Sequence, residues 1–155
     1  MSGKDNPGVH FPPPLMFFLS GLVGWQAGLR LGWLVFVPST TIQMAALGLI
    51  VAGLALGAWS MFPFFAAGTS LLPWEPDSQL LTAGPYRFSR NPMYAGMALL
   101  YGGVCLQLGS GLALALILPL ILLINRYVIA GEEAYLTRTF GETYQAYQGK
   151  VRRWL

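Results

Sequence analysis

Long apolar runs separated by short polar segments dominate this chain. Four runs cover residues 15–29, 41–62, 92–108 and 112–124, and only the turn 109–111 separates the last two. About 20 apolar residues in a helix are needed to cross the roughly 30 Å hydrocarbon core of a bilayer. The pattern therefore predicts an all-α membrane protein with about four transmembrane helices.

After the fourth run the pattern becomes amphipathic. Leu136, Phe140, Tyr144 and Tyr147 recur at helical intervals and predict one apolar face lying along the membrane surface. The basic, aromatic end at 150–154 suits anionic lipid headgroups. We expect a single membrane domain, 1–155. Its predicted parts are a cytosolic tail (1–14), helices one and two (15–62), a cytosolic connecting loop (63–91), a transmembrane hairpin (92–130) and a cytosolic amphipathic helix with a basic tail (131–155).

Prolines and one asparagine predict where the helices begin, end and bend. Pro63 is expected to close the second helix and Pro119 to kink the fourth. Asn91 followed by Pro92 is typical of a helix start, with the Asn side chain capping the first turn.

Small residues at spacings of four or seven predict close helix contacts. Gly24 with Gly28, and Gly53 with Gly57, have the spacing that lets membrane helices approach closely. Gly96 and Gly103 form a small-residue strip on the third helix. This strip lies beside Tyr94 and Tyr101, which share one face because they are seven residues apart.

Composition and charge agree with a membrane protein. Of 155 residues, 55% are hydrophobic and 10% charged, which is not a soluble composition. Four spans would place both termini on one side with every Lys and Arg except Arg30, so the positive-inside rule makes that side cytosolic. We expect a multi-pass protein of a prokaryotic inner membrane, or of the endoplasmic reticulum in a eukaryote. The first run could instead be a cleaved signal peptide, but Gln26 and Arg30 stand where small residues are expected.

The few remaining polar features exclude some functions. The net charge of +3 includes no basic patch for nucleic acid, so membrane lipids are the expected partners. Cys105 and His10 are the only cysteine and histidine, which excludes an intrachain disulfide and a Cys/His metal cluster. No metal site is predicted.

Two polar segments are expected to meet. Arg87 and Arg90 precede the third run, and Glu132 and Glu133 follow the fourth. Because the turn 109–111 makes those helices antiparallel neighbours, their ends should converge. Two adjacent acids repel each other, so at least one should have a cation or polar ligand as its partner. There are simpler alternatives for both segments. The two glutamates could lie on a solvated helix face with weak salt bridges, and the two arginines could only anchor a membrane helix.

Both segments resemble one family. GPYRFSRNPMY at 84–94 and EEAYLTRTFGETYQAYQGKVRRW at 132–154 are similar to the isoprenylcysteine carboxyl methyltransferases and to the related phospholipid methyltransferases. The likeness extends from about Thr69 to Trp154. It implies methyl transfer from S-adenosylmethionine in a non-Rossmann site at the cytosolic ends of the last helices, to a lipophilic acceptor such as an isoprenylcysteine-type carboxylate.

The resemblance also implies roles for individual residues. Arg90 would hold or orient an anionic acceptor, and Glu132 would support catalysis. The family's usual histidine is Asn91 here, which keeps a hydrogen-bonding group but not a titratable one. The residues implied to bind cofactor are Gly84, Tyr86, Asn91, Pro92, Tyr94, Arg126, Glu133, Tyr144 and Tyr147. Carboxylates and tyrosine faces attract a sulfonium cation, while the cofactor's own carboxylate suits an arginine and a helix N-terminus.

The sequence is also compatible with other functions. The acceptor could be a phospholipid amine. A membrane reductase using NADPH is a second possibility, because sterol and steroid reductases resemble the same C-terminal helices. A non-enzymatic membrane subunit or small transporter is a third, although no charge lies in the middle of a predicted span. The sequence predicts no oligomeric state.

Overall fold

The protein is a bundle of helices. The computed structural model describes residues 11–68 and 79–154. Within them α1 covers Pro13–Leu31, α2 Thr40–Ala67 and α3 Pro92–Gln107, and a 3-10 turn at Gly84–Arg87 precedes α3. A long interrupted helix follows, formed by α4 (Gly111–Ala115), α5 (Ile117–Leu123), a π-helical segment (Ile124–Ile129) and α6 (Ala130–Lys150). These residues contain no strand, only an isolated bridge between Val35 and Ser110, so the all-α prediction is confirmed.

Two helices are long and apolar enough to cross a membrane. They are α2 and the helical path Gly111–Lys150. Only 17% and 28% of their most apolar stretches are buried, whereas the core helix of a soluble protein would be mostly buried. The structure therefore supports two of the four expected spans. Since α1 has 19 residues and α3 has 16, about 28 and 24 Å of helix, their crossing remains a prediction.

The interhelix turns gather at one end of the bundle. The Phe36 N–H donates to the Gly109 carbonyl over 2.9 Å, and the Gly111 N–H donates to the Leu34 carbonyl over 2.7 Å. These bonds join the α1–α2 connection to the α3–α4 turn. Arg90 lies just before α3 begins, so α3 separates it from these turns.

Glycines let the helices pack backbone against backbone. A Cβ added to Gly53 of α2 would lie 2.6 Å from the Leu100 nitrogen of α3, and one added to Gly103 would lie 2.7 Å from the Ala46 carbonyl oxygen. Gly24 of α1 makes the same kind of contact with Ala113, at 2.6 Å from its Cα. Close packing is thus confirmed at Gly53 and Gly24.

The expectation that Pro63 ends the second helix is wrong. Pro63 is buried inside α2, which continues to Ala67 and ends at Gly68 in the left-handed conformation (φ 64°). A proline removes one backbone donor and crowds the carbonyl four residues earlier. Pro63 is nevertheless buried against the turn at Gly84, whose added Cβ would lie 3.5 Å from Pro63 Cγ, and the helix continues past it. The connecting segment therefore begins later than residue 63.

Pro119 lies within α5, and the helix is interrupted before it. The break falls at Leu116, next to Ala115. The Pro119 ring would clash with the carbonyl of Ala115, four residues earlier, so the interruption has the expected cause. The rest of the predicted tail and connecting loop, residues 1–10 and 69–78, lies outside the described residues.

Candidate active site

The turn before α3 positions Arg90, the first residue of the candidate site. Gly84 has φ 59°, a left-handed conformation that glycine adopts without strain. Pro85 and Tyr86 are buried, and the Ser89 N–H donates to the Pro85 carbonyl over 3.2 Å. Arg90 therefore lies at the end of the bundle where α6 begins.

Arg90 and Glu133 form a largely buried ion pair. Arg90 Nη2 lies 3.0 Å from Glu133 Oε1, and each side chain is 13% exposed. The expected convergence of the arginine segment with the acidic pair is thus observed. The Arg90 Nε atom is buried and has no hydrogen-bond partner among the described residues. An unpaired buried donor of this kind is costly, and ligand sites are one setting in which it is tolerated.

Glu132 has a different partner. The Tyr94 hydroxyl donates to Glu132 Oε1 over 2.5 Å, and Tyr94 is buried. Adjacent residues on a helix are turned by about 100° from each other, which separates the two carboxylates. Glu132 and Glu133 therefore belong to distinct contacts within one cluster.

Arg153 also belongs to this cluster, and the sequence did not reveal it. Its Nε donates to Glu133 Oε1 over 3.1 Å, and its Nη2 donates to Glu133 Oε2. This bond raises the pKa of Arg153 further, so the side chain stays charged. Arg153 binds a carboxylate 20 residues earlier, a separation at which no local sequence signal applies.

The backbone of the C-terminal tail, defined here as residues 151–154, is fixed to the residues before α3. The Arg90 N–H donates to the Arg152 carbonyl over 2.8 Å. The Asn91 Nδ2 and the Ser89 hydroxyl donate to the Arg153 carbonyl over 2.9 and 3.3 Å. Trp154 Nε1 also donates to Asn125 Oδ1 over 3.0 Å. The tail is thus part of the site.

Asn91 does not cap α3 with its side chain, so that expectation is wrong. It occupies the N-cap position, but its amide makes no cap hydrogen bond. Its Nδ2 instead donates to the Arg153 carbonyl, a partner that the sequence pattern could not indicate. Asn91 is buried and holds the tail.

A cavity of about 80 Å³ lies beside the cluster. Four of the predicted site residues line it, namely Tyr86, Arg90, Tyr144 and Tyr147. The other lining residues are Phe64, Gln79, Leu80, Leu81 and Leu136. The expected apolar face of α6 thus turns toward this cavity through Leu136, Tyr144 and Tyr147, rather than only toward a membrane surface.

Tyr144 and Tyr147 of α6 are neutral groups. The Tyr147 hydroxyl donates to the Tyr86 carbonyl over 2.6 Å. Burial raises the pKa of Tyr144 and of Tyr147 to about 12. Both lie in the polar part of the long helix, beyond the apolar stretch. At neutral pH they offer aromatic faces and hydroxyl groups, not bases.

Some predicted residues lie apart from the cavity. Arg126 is on the exposed side of the π-helical segment, and Gly84 lies near Trp59 and Pro63 of α2. Pro92 is buried at the start of α3. The roles in cofactor binding that the resemblance implies, for these three residues as for the others, remain predictions.

Comparisons with known proteins bear on this site. A sequence model of the family described as phospholipid methyltransferase matches residues 41–143, more than half of the chain, including Arg90 and the acidic pair. An uncharacterized protein of Haemophilus influenzae is 44% identical over 63 residues, which are 41% of this chain and 100% of that relative.

Proposed function

Because this chain belongs to the phospholipid methyltransferase family, we propose that it is a multi-pass membrane enzyme that transfers a methyl group from S-adenosylmethionine to a lipophilic acceptor. The site would face the cytosol. The observation that carries the proposal is the 3.0 Å contact between Arg90 and Glu133, which joins the two segments of the resemblance beside one cavity.

The residues around the cavity fit the chemistry of the cofactor. When bound, S-adenosylmethionine supplies a methyl group on a sulfonium cation. The faces of Tyr86, Tyr144 and Tyr147 attract cations, and Arg90 suits a carboxylate. At about 80 Å³ the cavity is smaller than the roughly 300 Å³ of small ligand pockets, so it must widen to take the whole molecule.

Glu132 and Tyr94 would serve the acceptor. The hydrogen bond from the Tyr94 hydroxyl fixes the orientation of the Glu132 carboxylate. An amine acceptor must lose a proton, which Glu132 can accept, whereas a carboxylate acceptor needs no base. In both cases the chain mainly aligns the reactants and keeps water out.

Two classes of acceptor remain. The description of the matching family supports a phospholipid amine. The resemblance of the two motifs to isoprenylcysteine carboxyl methyltransferases supports a prenylated thioether carboxylate. Both are lipophilic and would enter from the bilayer.

Cofactor binding is the first test. We expect purified protein in detergent to bind S-adenosylmethionine by calorimetry in preference to NADPH. It should also transfer a labelled methyl group to one of the two acceptor classes. Preferential binding of NADPH would favour the reductase instead, and binding of neither would refute the enzyme.

Site variants provide the second test. Arg90→Ala and Glu132→Ala should each lower turnover by about 100-fold or more. Arg30→Ala, at the far end of α1, and Glu142→Ala, on an exposed position of α6, are the matched controls and should retain turnover. Unchanged turnover in both site variants would contradict the assigned roles.

A further inference from the structure

Glu133 is shared unequally between two arginines. Arg153 contacts both of its carboxylate oxygens, through Nε to Oε1 and Nη2 to Oε2. Arg90 reaches only Oε1, through Nη2. Arg90, Arg153 and Glu133 together carry a net charge of +1, while the nearby Glu132 carboxylate accepts a hydrogen bond from Tyr94. The bidentate partner, Arg153, holds the Glu133 carboxylate more strongly.

Arg90 is the arginine that faces the ligand side. It lines the tyrosine cavity, and its Nε is buried without a hydrogen-bond partner among residues 11–68 and 79–154. Arg153 does not line that cavity, and its side chain is 41% exposed. The two cations therefore have different positions around one carboxylate.

We propose that Arg153 is a positioning residue that occupies the Glu133 carboxylate and so leaves the charge of Arg90 available to a ligand carboxylate. Without Arg153, Glu133 would pair with Arg90 alone and neutralise the cation that lines the cavity. The ligand carboxylate belongs either to the cofactor or to the acceptor. This inference rests on the proposed function for the identity of the ligand.

The tail backbone makes this arrangement possible. Its carbonyls accept hydrogen bonds from Ser89, Arg90 and Asn91, so Arg153 starts from a fixed position beside α3. Arg152 is the neighbouring cation, but its side chain is exposed. Replacing Arg152 removes the same charge from the same segment and leaves its backbone carbonyl in place, which makes Arg152→Gln the matched control.

The test compares two nucleosides in calorimetry. S-adenosylhomocysteine carries an amino-acid end, whereas methylthioadenosine has the same nucleoside thioether without it. Arg153→Gln should weaken binding of S-adenosylhomocysteine by about 10- to 100-fold and leave methylthioadenosine unaffected, and Arg152→Gln should change neither. If instead only the KM for a prenylated thioether carboxylate rises, the carboxylate belongs to the acceptor.

A second substitution separates charge from structure. Adding Glu133→Gln to Arg153→Gln removes the charge that would neutralise Arg90, so affinity for the carboxylate ligand should recover. Three results would each overturn the proposal. They are equal loss of both nucleosides in Arg153→Gln, no recovery in the double variant, and an Arg153→Gln protein that differs from Arg152→Gln neither in affinity for S-adenosylhomocysteine nor in KM for the prenylated thioether carboxylate.

Docking of the tail is measured without any ligand. Trypsin can cleave after Lys150 in both variants, and mass spectrometry detects the loss of residues 151–155 that this cleavage causes. We expect faster cleavage in Arg153→Gln than in Arg152→Gln, and equal rates would overturn the proposal. If the unsubstituted protein binds neither nucleoside, the proposed function fails, while this cleavage comparison still decides whether Arg153 holds the tail.

Discussion

Two tyrosines seven residues apart on α3 perform different tasks. The Tyr94 hydroxyl donates to Glu132, and the Tyr101 hydroxyl donates to the Ala113 carbonyl over 2.6 Å. The sequence placed them on one face, but it could not tell which one reaches a carboxylate. The difference follows from the partner that lies beside each tyrosine. This partner is the Glu132 carboxylate of α6 for Tyr94 and the Ala113 carbonyl of α4 for Tyr101.

The same substitution at both positions should therefore give different results. Tyr94→Phe removes the hydrogen bond to Glu132 and should lower turnover by about tenfold or more, because that bond helps to orient the carboxylate. Tyr101→Phe should cost about 1 kcal/mol of unfolding free energy and leave turnover intact. Turnover assays and denaturant unfolding measure the two effects, and equal turnover in both variants would contradict the role of Tyr94.

The raised pKa values of Tyr144 and Tyr147 predict a loss of stability in alkali. Both values are about 12 in the folded protein, above the ordinary value of about 10, because burial disfavours the phenolate. The stabilisation is complete below pH of about 10 and is lost as the pH rises through about 12. Thermal unfolding across this range should show a falling midpoint.

Substituted tyrosines provide the control for this pH effect. Tyr147→Phe cannot ionise and should reduce the alkaline loss. Tyr144→Phe should act in the same direction. A pH dependence that neither substitution changes would exclude the buried tyrosines as its cause.

Contacts within an element were easier to predict from sequence than contacts of the tail. The face of Leu136, Tyr144 and Tyr147 follows from helical period alone, and these residues share the cavity. The docking of Arg153 on Glu133 depends on the direction of the chain after Lys150, and on a kink at Gly141 where φ is 53° and ψ −127°. A residue pattern does not encode such directions.

At the scale of elements, the contact between α2 and α3 predicts a sharp difference between two glycines. Gly53→Ala would place its Cβ 2.6 Å from the Leu100 nitrogen, so the helices must separate, at a cost of about 1–3 kcal/mol of unfolding free energy. Gly48→Ala in the same helix meets nothing within 4 Å and should be neutral or slightly stabilising. Unfolding in mixed detergent measures both, and equal stabilities would contradict the close packing.

At the scale of the whole molecule, hydropathy predicts a helical membrane protein. The structure adds which residues lie at each end of the bundle. The turn hydrogen bonds at Phe36 and Gly111 mark one end, and the Arg90 cluster marks the other. Length alone does not decide whether α1 and α3 cross, because a helix of 16 to 19 residues is close to the minimum for a span. The predicted orientation, with both termini in the cytosol, rests on the distribution of Lys and Arg along the chain and not on how the helices pack.

Labelling of single cysteines tests the two ends directly. Cys105 is buried and is the only cysteine, so Cys105→Ser gives a background without thiols. Val37→Cys lies in the α1–α2 connection, where the side chain is 93% exposed, and Lys150→Cys lies at the end of α6. If the helices cross as expected, a membrane-impermeant thiol reagent added to intact cells labels Val37→Cys, while Lys150→Cys reacts only after the membrane is opened. Labelling of both positions from the same side would show that the bundle does not place its turns and its candidate site on opposite faces of the bilayer.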